Sequence, residues 1–186
     1  MIHLCIFVSG GGTNCENIIR YFANSERVHV DLVVSNRADA YALTRAQRLG
    51  VRTVVVTRAD FASPERMATL LEGIDYLILA GFLWMIPDFL VAAFPKKILN
   101  IHPALLPKYG GKGMYGHHVH EAVKAAGEPL SGITIHYVSE VCDGGEIIFQ
   151  ASTPLSPSDT PDDIADKIHV LEQAHFPRVI EQVVTQ

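Results

Sequence analysis

The sequence predicts an α/β fold built on a mostly parallel sheet, and three observations carry that expectation. Short apolar runs alternate with segments whose apolar residues recur every three or four positions, as when strands are joined by crossover helices. The first of these runs leads into a glycine cluster, a common way of turning from a strand into a helix. The chain has 186 residues, 48% of them apolar, which suits one domain, 1–186, with a sizeable core.

The elements follow in order. Ile2–Ser9, Val30–Ser35, Arg52–Val56, Tyr76–Ala80 and Ile98–His102 are short apolar runs and read as strands. Between them Asn14–Phe22, Ala40–Leu49, Pro64–Leu71 and Pro87–Phe94 carry helical periodicity and read as crossovers, giving a Rossmann-like sheet flanked by helices. The pattern then changes. Ile133–Tyr137 and Glu146–Ala151 flank the turn-rich Cys142-Asp143-Gly144-Gly145, which predicts an antiparallel hairpin or a long loop near the C-terminal part. A final helix is expected from Pro161, capped by Thr160. No repeat, low-complexity segment or interdomain linker is visible.

Composition excludes several classes of function. A formal charge of -5 and a pI near 6 lack the basic surface that a nucleic-acid backbone requires, so no nucleic-acid partner is expected. Three widely spaced cysteines, Cys5, Cys15 and Cys142, fit neither a disulfide framework nor a zinc knuckle, and point to a reducing compartment. An apolar strand begins at Ile2 with no basic leader before it, and no apolar run reaches the roughly eighteen residues of a membrane span. A cytoplasmic chain with no membrane partner is the expectation.

Two segments carry chemistry. Ser9-Gly10-Gly11-Gly12-Thr13-Asn14 lies between the first strand and the first helix, where bare amides and a helix N-terminus favour an anion, a phosphate above all. Dinucleotide binding would need a glycine where Cys15 stands and an acidic end to the second strand, where Ser35-Asn36-Arg37 stands instead. A nucleoside-triphosphate loop would need Gly-Lys-Ser/Thr, which is absent. The second segment is Asn100-Ile101-His102-Pro103, followed some forty residues on by Asp143-Gly144-Gly145. Residues two apart on a strand share a side, so Asn100 and His102 can present an amide and an imidazole together at the carboxyl end. With the Asp143 carboxylate they are the parts that stabilise an oxyanion and move a proton, as in acyl or formyl transfer. Taken singly, His102 could be a structural histidine and Asp143 a turn former. Of His117, His118 and His120, residues 117 and 120 would share a helix face, but two such ligands make only a weak metal site, and no metal is expected.

Several motifs in the same order and spacing resemble the phosphoribosylglycinamide formyltransferases over nearly the whole chain. They are Ser9 to Asn14, Leu79-Ala80-Gly81-Phe82, Asn100 to Pro103, Leu105-Leu106-Pro107-Lys108-Tyr109, Thr134-Ile135-His136, Asp143-Gly144-Gly145 and the Glu172 to Pro177 region. The resemblance implies transfer of a formyl group from 10-formyltetrahydrofolate to the amine of glycinamide ribonucleotide, a step of purine synthesis, by direct attack and without a metal. It implies that Asn100 and a protonated His102 stabilise the oxyanion while Asp143 holds His102, raises its pKa and moves the proton, with His136 in support. It places the ribonucleotide phosphate on Gly11, Gly12, Thr13 and Asn14, and Glu172 near the glycinamide end. It sets the folate pterin against Leu83, Trp84, Met85 and Ile86, with Asn100, and against the loop of Ser139, Glu140, Val141, Cys142 and Asp143.

The sequence also departs from the family. Gly110-Gly111-Lys112-Gly113-Met114-Tyr115-Gly116-His117 is longer than in better-known members and is a candidate lid; Trp84 and Pro64 stand where arginines are common, and His169 stands where a neutral amide is common. A monomer or a homodimer fits equally. The rival readings are a tRNA or sugar-nucleotide formyltransferase, a formyl-folate hydrolase, and a noncatalytic module that binds a phosphorylated metabolite or folate.

Overall fold

The computed structural model describes residues 1–186. Seven strands form one sheet in the order β3-β2-β1-β4-β5-β6-β7, where β1 is Ile2–Val8, β2 Val28–Ser35, β3 Arg52–Val55, β4 Tyr76–Leu79, β5 Ile98–His102, β6 Leu130–Tyr137 and β7 Ile147–Pro154. The first five are mutually parallel, and β6 runs antiparallel to both β5 and β7. The expected parallel sheet and C-terminal hairpin are both present.

Strand alternation divides the core in two. Leu4, Ile6 and Val8 of β1 face a cluster of 29 buried residues shared with α1 (Thr13–Phe22), α2 (Tyr41–Arg48), α6 (His117–Ala125) and α7 (Pro161–Val184). Cys5 and Phe7 face the other way, into 13 buried residues shared with α3 (Arg58–Phe61), α4 (Pro64–Leu70) and α5 (Asp88–Ala93). The same parity governs the strands that carry polar residues. Leu99 and Ile101 of β5, and Ile133 and Ile135 of β6, belong to the first cluster, so Asn100, His102, Thr134 and His136 are left on the opposite face. Ile98 on that face still packs into the second cluster, and the apolar cover ends beyond it.

Helices α3 and α6 are not among the expected elements, and α7 carries a proline that the expectation did not address. The four-residue α3 precedes α4, set by a capping box between Thr57 and Asp60, a signature readable as Thr-x-x-Asp. Helix α7 does begin at the Thr160 cap, and it runs 24 residues through a buried Pro177. Pro177 has no N–H, so the carbonyl of Gln173 one turn earlier lacks its helical donor. The Asn17 side-chain amide donates to it instead, at 3.0 Å. The proline therefore creates an acceptor that docks α7 on α1.

Candidate active site

Strands β1 and β4 are adjacent although β2 and β3 lie to one side and β5 to the other, so the strand order reverses between them, where open α/β sheets place ligands. The Ser9 N–H donates to the Gly81 carbonyl at 3.0 Å, and the Ser9 hydroxyl accepts the Leu83 N–H at 2.9 Å while donating to Asn36 at 2.6 Å. These bonds join the loops that follow β1 and β4. A cavity of about 480 Å³ opens beside them.

The glycine loop is shaped by one residue in particular. Gly12 sits in the left-handed region at φ 77°, and a Cβ there would overlap that of Ala42. The first helical bond of α1 is Glu16 N–H to the Gly12 carbonyl at 2.9 Å, so the amides of Thr13, Asn14 and Cys15 have no acceptor within the helix and no side-chain cap. Arg45 donates to the Gly11 carbonyl at 2.8 Å and pairs with Glu16, which places a cation against the loop. Asn14 donates to Glu172 Oε2 at 3.0 Å, and Gln173 donates to Asn14 Oδ1 at 3.2 Å. The fold thus joins the glycine loop to Glu172 across 158 residues of sequence. Burial pushes the Glu172 carboxyl above its ordinary value, against the opposing pull of Asn14 and of His169 at 3.6 Å.

The second cluster of polar residues forms where β5 and β6 pair. Asn100 lies directly opposite His136, and its Nδ2 is 3.1 Å from His136 Nε2. His136 Nδ1 is 2.9 Å from the Tyr137 carbonyl, which can only accept, so Nδ1 carries the hydrogen and Nε2 receives the Asn100 amide. His102 is fixed in the opposite sense. Its Nε2 donates to the Tyr109 carbonyl at 2.7 Å, which leaves Nδ1 as the free lone pair of the neutral ring, 3.6 Å from Asp143 Oδ2.

Asp143 reaches this face because the segment after β6 turns back on itself. A Cβ on Gly145 would overlap the Tyr137 carbonyl, so only glycine lets the loop pass this close to the strand. Asp143 adopts φ 53°; its Oδ2 accepts the Gly111 N–H at 2.9 Å, and its Oδ1 is 3.7 Å from His136 Nε2. Burial would raise its pKa, but the carboxyl is held below its usual value by the facing His136 and His102 whenever either ring carries a proton toward it, and by the Gly111 amide throughout.

The structure brings Asn100, His102 and Asp143 onto one cavity, together with His136, which has only 2% of its surface exposed. Asp143 does pull the His102 pKa upward as expected, but the net direction is the opposite one. The pKa of His102 is lowered, because burial of a ring with 3% exposure outweighs the attraction of Asp143 and the Tyr109 carbonyl. The shift favours the neutral ring.

Leu83, Trp84, Met85 and Ile86 line the same cavity, as do Ser139, Val141 and Cys142, whereas Glu140 lies outside its wall. Leu83, Met85 and Val141 are exposed apolar side chains on its rim. Trp84 packs against Phe61 and Phe82, with Arg58 stacked on its ring at 4.0 Å. Ser9 and Gly10 form part of the wall, so the cavity continues into the glycine loop, although Gly11 to Asn14 and Glu172 lie beyond it. The stretch from Gly111 to Gly116 covers one side.

Tyr109 and Gly111 enter the sequence reading only as parts of longer segments, and it misses the bonds they make to His102 and Asp143. They act through backbone groups, which every residue type carries, so no residue-type signal marks them. His117, His118 and His120 begin α6, and no group of three or more His, Cys, Asp or Glu side chains is placed to hold a metal ion.

Comparison with known proteins decides the family. The chain matches the formyl transferase family over residues 2–180. It belongs to that family. It is 32% identical over 188 residues to the phosphoribosylglycinamide formyltransferase of Haemophilus influenzae, covering 97% of this chain and 86% of that one. The chloroplastic phosphoribosylglycinamide formyltransferase of Arabidopsis thaliana is 42% identical over 180 residues, 92% of this chain and 61% of the relative. This formyl transferase chain thus spans about three fifths of that chloroplastic relative's length. A crystal structure of the Streptococcus pneumoniae phosphoribosylglycinamide formyltransferase superposes with a TM-score of 0.85 at 34% identity, covering 99% of both chains. No helix of the chain is long and apolar enough to cross a membrane.

Proposed function

We propose that this formyl transferase moves a formyl group from 10-formyltetrahydrofolate to the amine of glycinamide ribonucleotide, a step of purine biosynthesis. The observation that carries the reading is the gathering of Asn100, His102 and Asp143 on a cavity whose wall leads into the glycine loop, where the amides at the start of α1 have no partner in the helix. The names of relatives at 32% and 42% identity support the same substrates.

The ribonucleotide phosphate rests on the free amides of Gly11, Gly12, Thr13 and Asn14, aided by the positive end of α1 and the nearby Arg45. Glu172, tied to Asn14, supplies a carboxylate near the glycinamide end. The folate ring fits the cavity between Leu83 to Ile86 and the loop of Ser139 and Val141 to Asp143, where apolar side chains cover a ring and backbone groups read its edge. The donor supplies the formyl carbon and a nitrogen, N10, that leaves once it is protonated.

Asn100 keeps one amide hydrogen on His136 and offers the other to the formyl oxygen as negative charge develops there. His102 enters neutral and accepts the proton of the attacking amine at Nδ1, the only ring nitrogen left free. Asp143 stabilises the imidazolium so formed from 3.6 Å. His102 then returns that proton to N10. His136, held by Tyr137, orients Asn100.

The test is turnover of 10-formyltetrahydrofolate with and without glycinamide ribonucleotide, in the native chain, His102→Ala and Asp143→Asn. Amine-dependent formyl transfer, lost in both variants, is expected. Folate consumption without the amine would make this a hydrolase, and ligand binding with no turnover would reduce it to a binding module.

A further inference from the structure

The site contains a device that the reaction scheme does not use. His102 and Asp143 belong to segments forty-one positions apart, yet both bond to one short stretch of backbone: the Tyr109 carbonyl takes His102 Nε2–H at 2.7 Å, and the Gly111 N–H reaches Asp143 Oδ2 at 2.9 Å. Aiming the carbonyl at the imidazole coincides with φ 56° at Tyr109, a left-handed conformation that a non-glycine residue holds only when its surroundings impose it.

What holds Tyr109 lies outside the cavity. Its phenol donates to Glu128 Oε1 at 2.8 Å, and the same oxygen accepts Lys108 Nζ at 3.0 Å. Glu128 stands on the connection from α6 to β6, next to Pro129, and is absent from the cavity wall. Both bonds converge on one carboxylate oxygen and clamp two consecutive residues, which leaves the Tyr109 peptide little freedom to rotate.

We propose that Glu128, through the Tyr109 phenol, is a positioning residue that fixes the tautomer of His102 and the placement of Asp143. Carbonyl oxygens cannot donate, so with Tyr109 in place the neutral ring carries its hydrogen on Nε2 and keeps Nδ1 as the base. If the Tyr109 peptide relaxes to the right-handed region, its carbonyl swings away and Nε2–H loses its acceptor. The neutral ring then gains by moving its hydrogen to Nδ1, where the Asp143 carboxylate can accept it, and the base is masked. The inference rests on the reading of His102 as the proton carrier, but the tautomer itself is a property of the substrate-free protein.

The experiment therefore has two readouts: nitrogen-15 NMR of the His102 ring without substrates, and steady-state formyl transfer. In the native chain the ring should be the Nε2–H tautomer. In Tyr109→Phe and Glu128→Ala it should shift toward Nδ1–H, with kcat lowered about 10- to 100-fold and both KM values within about threefold, because positional errors fall on the chemical step. Glu128→Gln keeps an acceptor for the phenol and should restore the native tautomer and most of the rate. Lys108→Met removes only the second partner of Glu128 and should leave the tautomer unchanged. An unchanged tautomer in folded Tyr109→Phe and Glu128→Ala overturns the proposal, even where activity falls. A native chain that transfers no formyl group, but whose tautomer shifts in these variants, refutes the function and leaves the positioning role standing.

Discussion

Replacing Asn100 with alanine should lower kcat by about 10²- to 10³-fold and change either KM by only a few-fold. The magnitude follows from where its two amide hydrogens go. One is committed to His136 Nε2 at 3.1 Å, since the other nitrogen of that ring already donates to Tyr137. The second is available to a substrate oxygen in the cavity that Asn100 lines. A donor preorganised in this way contributes about 2.7–4 kcal/mol when charge appears on that oxygen and little before it does, so its loss falls on kcat. The substitution also leaves His136 Nε2, on a residue with 2% exposure, without its donor, which costs stability of about 1–3 kcal/mol. The two effects separate experimentally: stability is read from urea denaturation, and kcat is measured well below the unfolding transition. Asn100→Asp sharpens the test, because it places an acceptor against the His136 lone pair and a negative charge where charge must develop. It should be at least as inactive as the alanine variant. A folded Asn100→Ala protein with kcat within fivefold of the native value would refute the oxyanion role.

Three further substitutions probe the rest of the site. Gly12→Ala, which combines a positive φ with overlap of Ala42, should cost more than about 1 kcal/mol in urea denaturation and raise the KM of the ribonucleotide more than that of the folate. Glu172→Gln removes a buried charge while keeping an acceptor for Asn14, so the melting temperature should rise by a few degrees at pH 7 while the KM for the ribonucleotide rises about tenfold or more. His120 has 6% exposure and a ring Nδ1 with no partner, and burial, with His117 and His102 nearby, pushes its pKa down to about 4. The unfolded chain binds this proton near pH 6.5 and the folded one only near 4, so native stability should fall as pH drops through that window, by about 3 kcal/mol, and His120→Leu should flatten that part of the urea-derived pH profile.

How much of this was legible in the sequence depends on whether a feature is written in residue types. Parity is: Asn100 and His102 two apart on a buried strand share a face, and the structure keeps them there. Capping is too, and Thr160 with Asp163 starts α7 as expected. The direction of the His102 pKa was not legible, because it is a difference between burial and the pull of Asp143, and burial depends on packing that no local pattern specifies. Nor could the sequence assign the His102 tautomer, which a backbone carbonyl decides. The passage of α7 through Pro177 was equally hidden, since the proline is tolerated by virtue of Asn17, 160 positions away.

The antiparallel addition of β6 is what gathers Asn100, His102, Thr134 and His136 on one face of the sheet. A parallel strand beside β5 would need a crossover covering one face, and the polar face of β5 would be buried under a helix or left to solvent. Here the chain passes over the carboxyl end of β5 through the Tyr109 and Gly111 backbone, lays α6 on the apolar side, then enters β6 from that same end and runs back down, placing Thr134 beside His102 and His136 beside Asn100. Helices α6 and α7 pack on the apolar side of this pair, around Leu99, Ile101, Ile133 and Ile135. The other side is closed by loops, and the segment after Tyr137 folds back far enough for Asp143 to approach both histidines at 3.6 and 3.7 Å. Each polar side chain is thus held by a strand or a tight loop and surrounded by enough protein to lower the His102 pKa. That is the condition for a histidine to arrive unprotonated and act as a base.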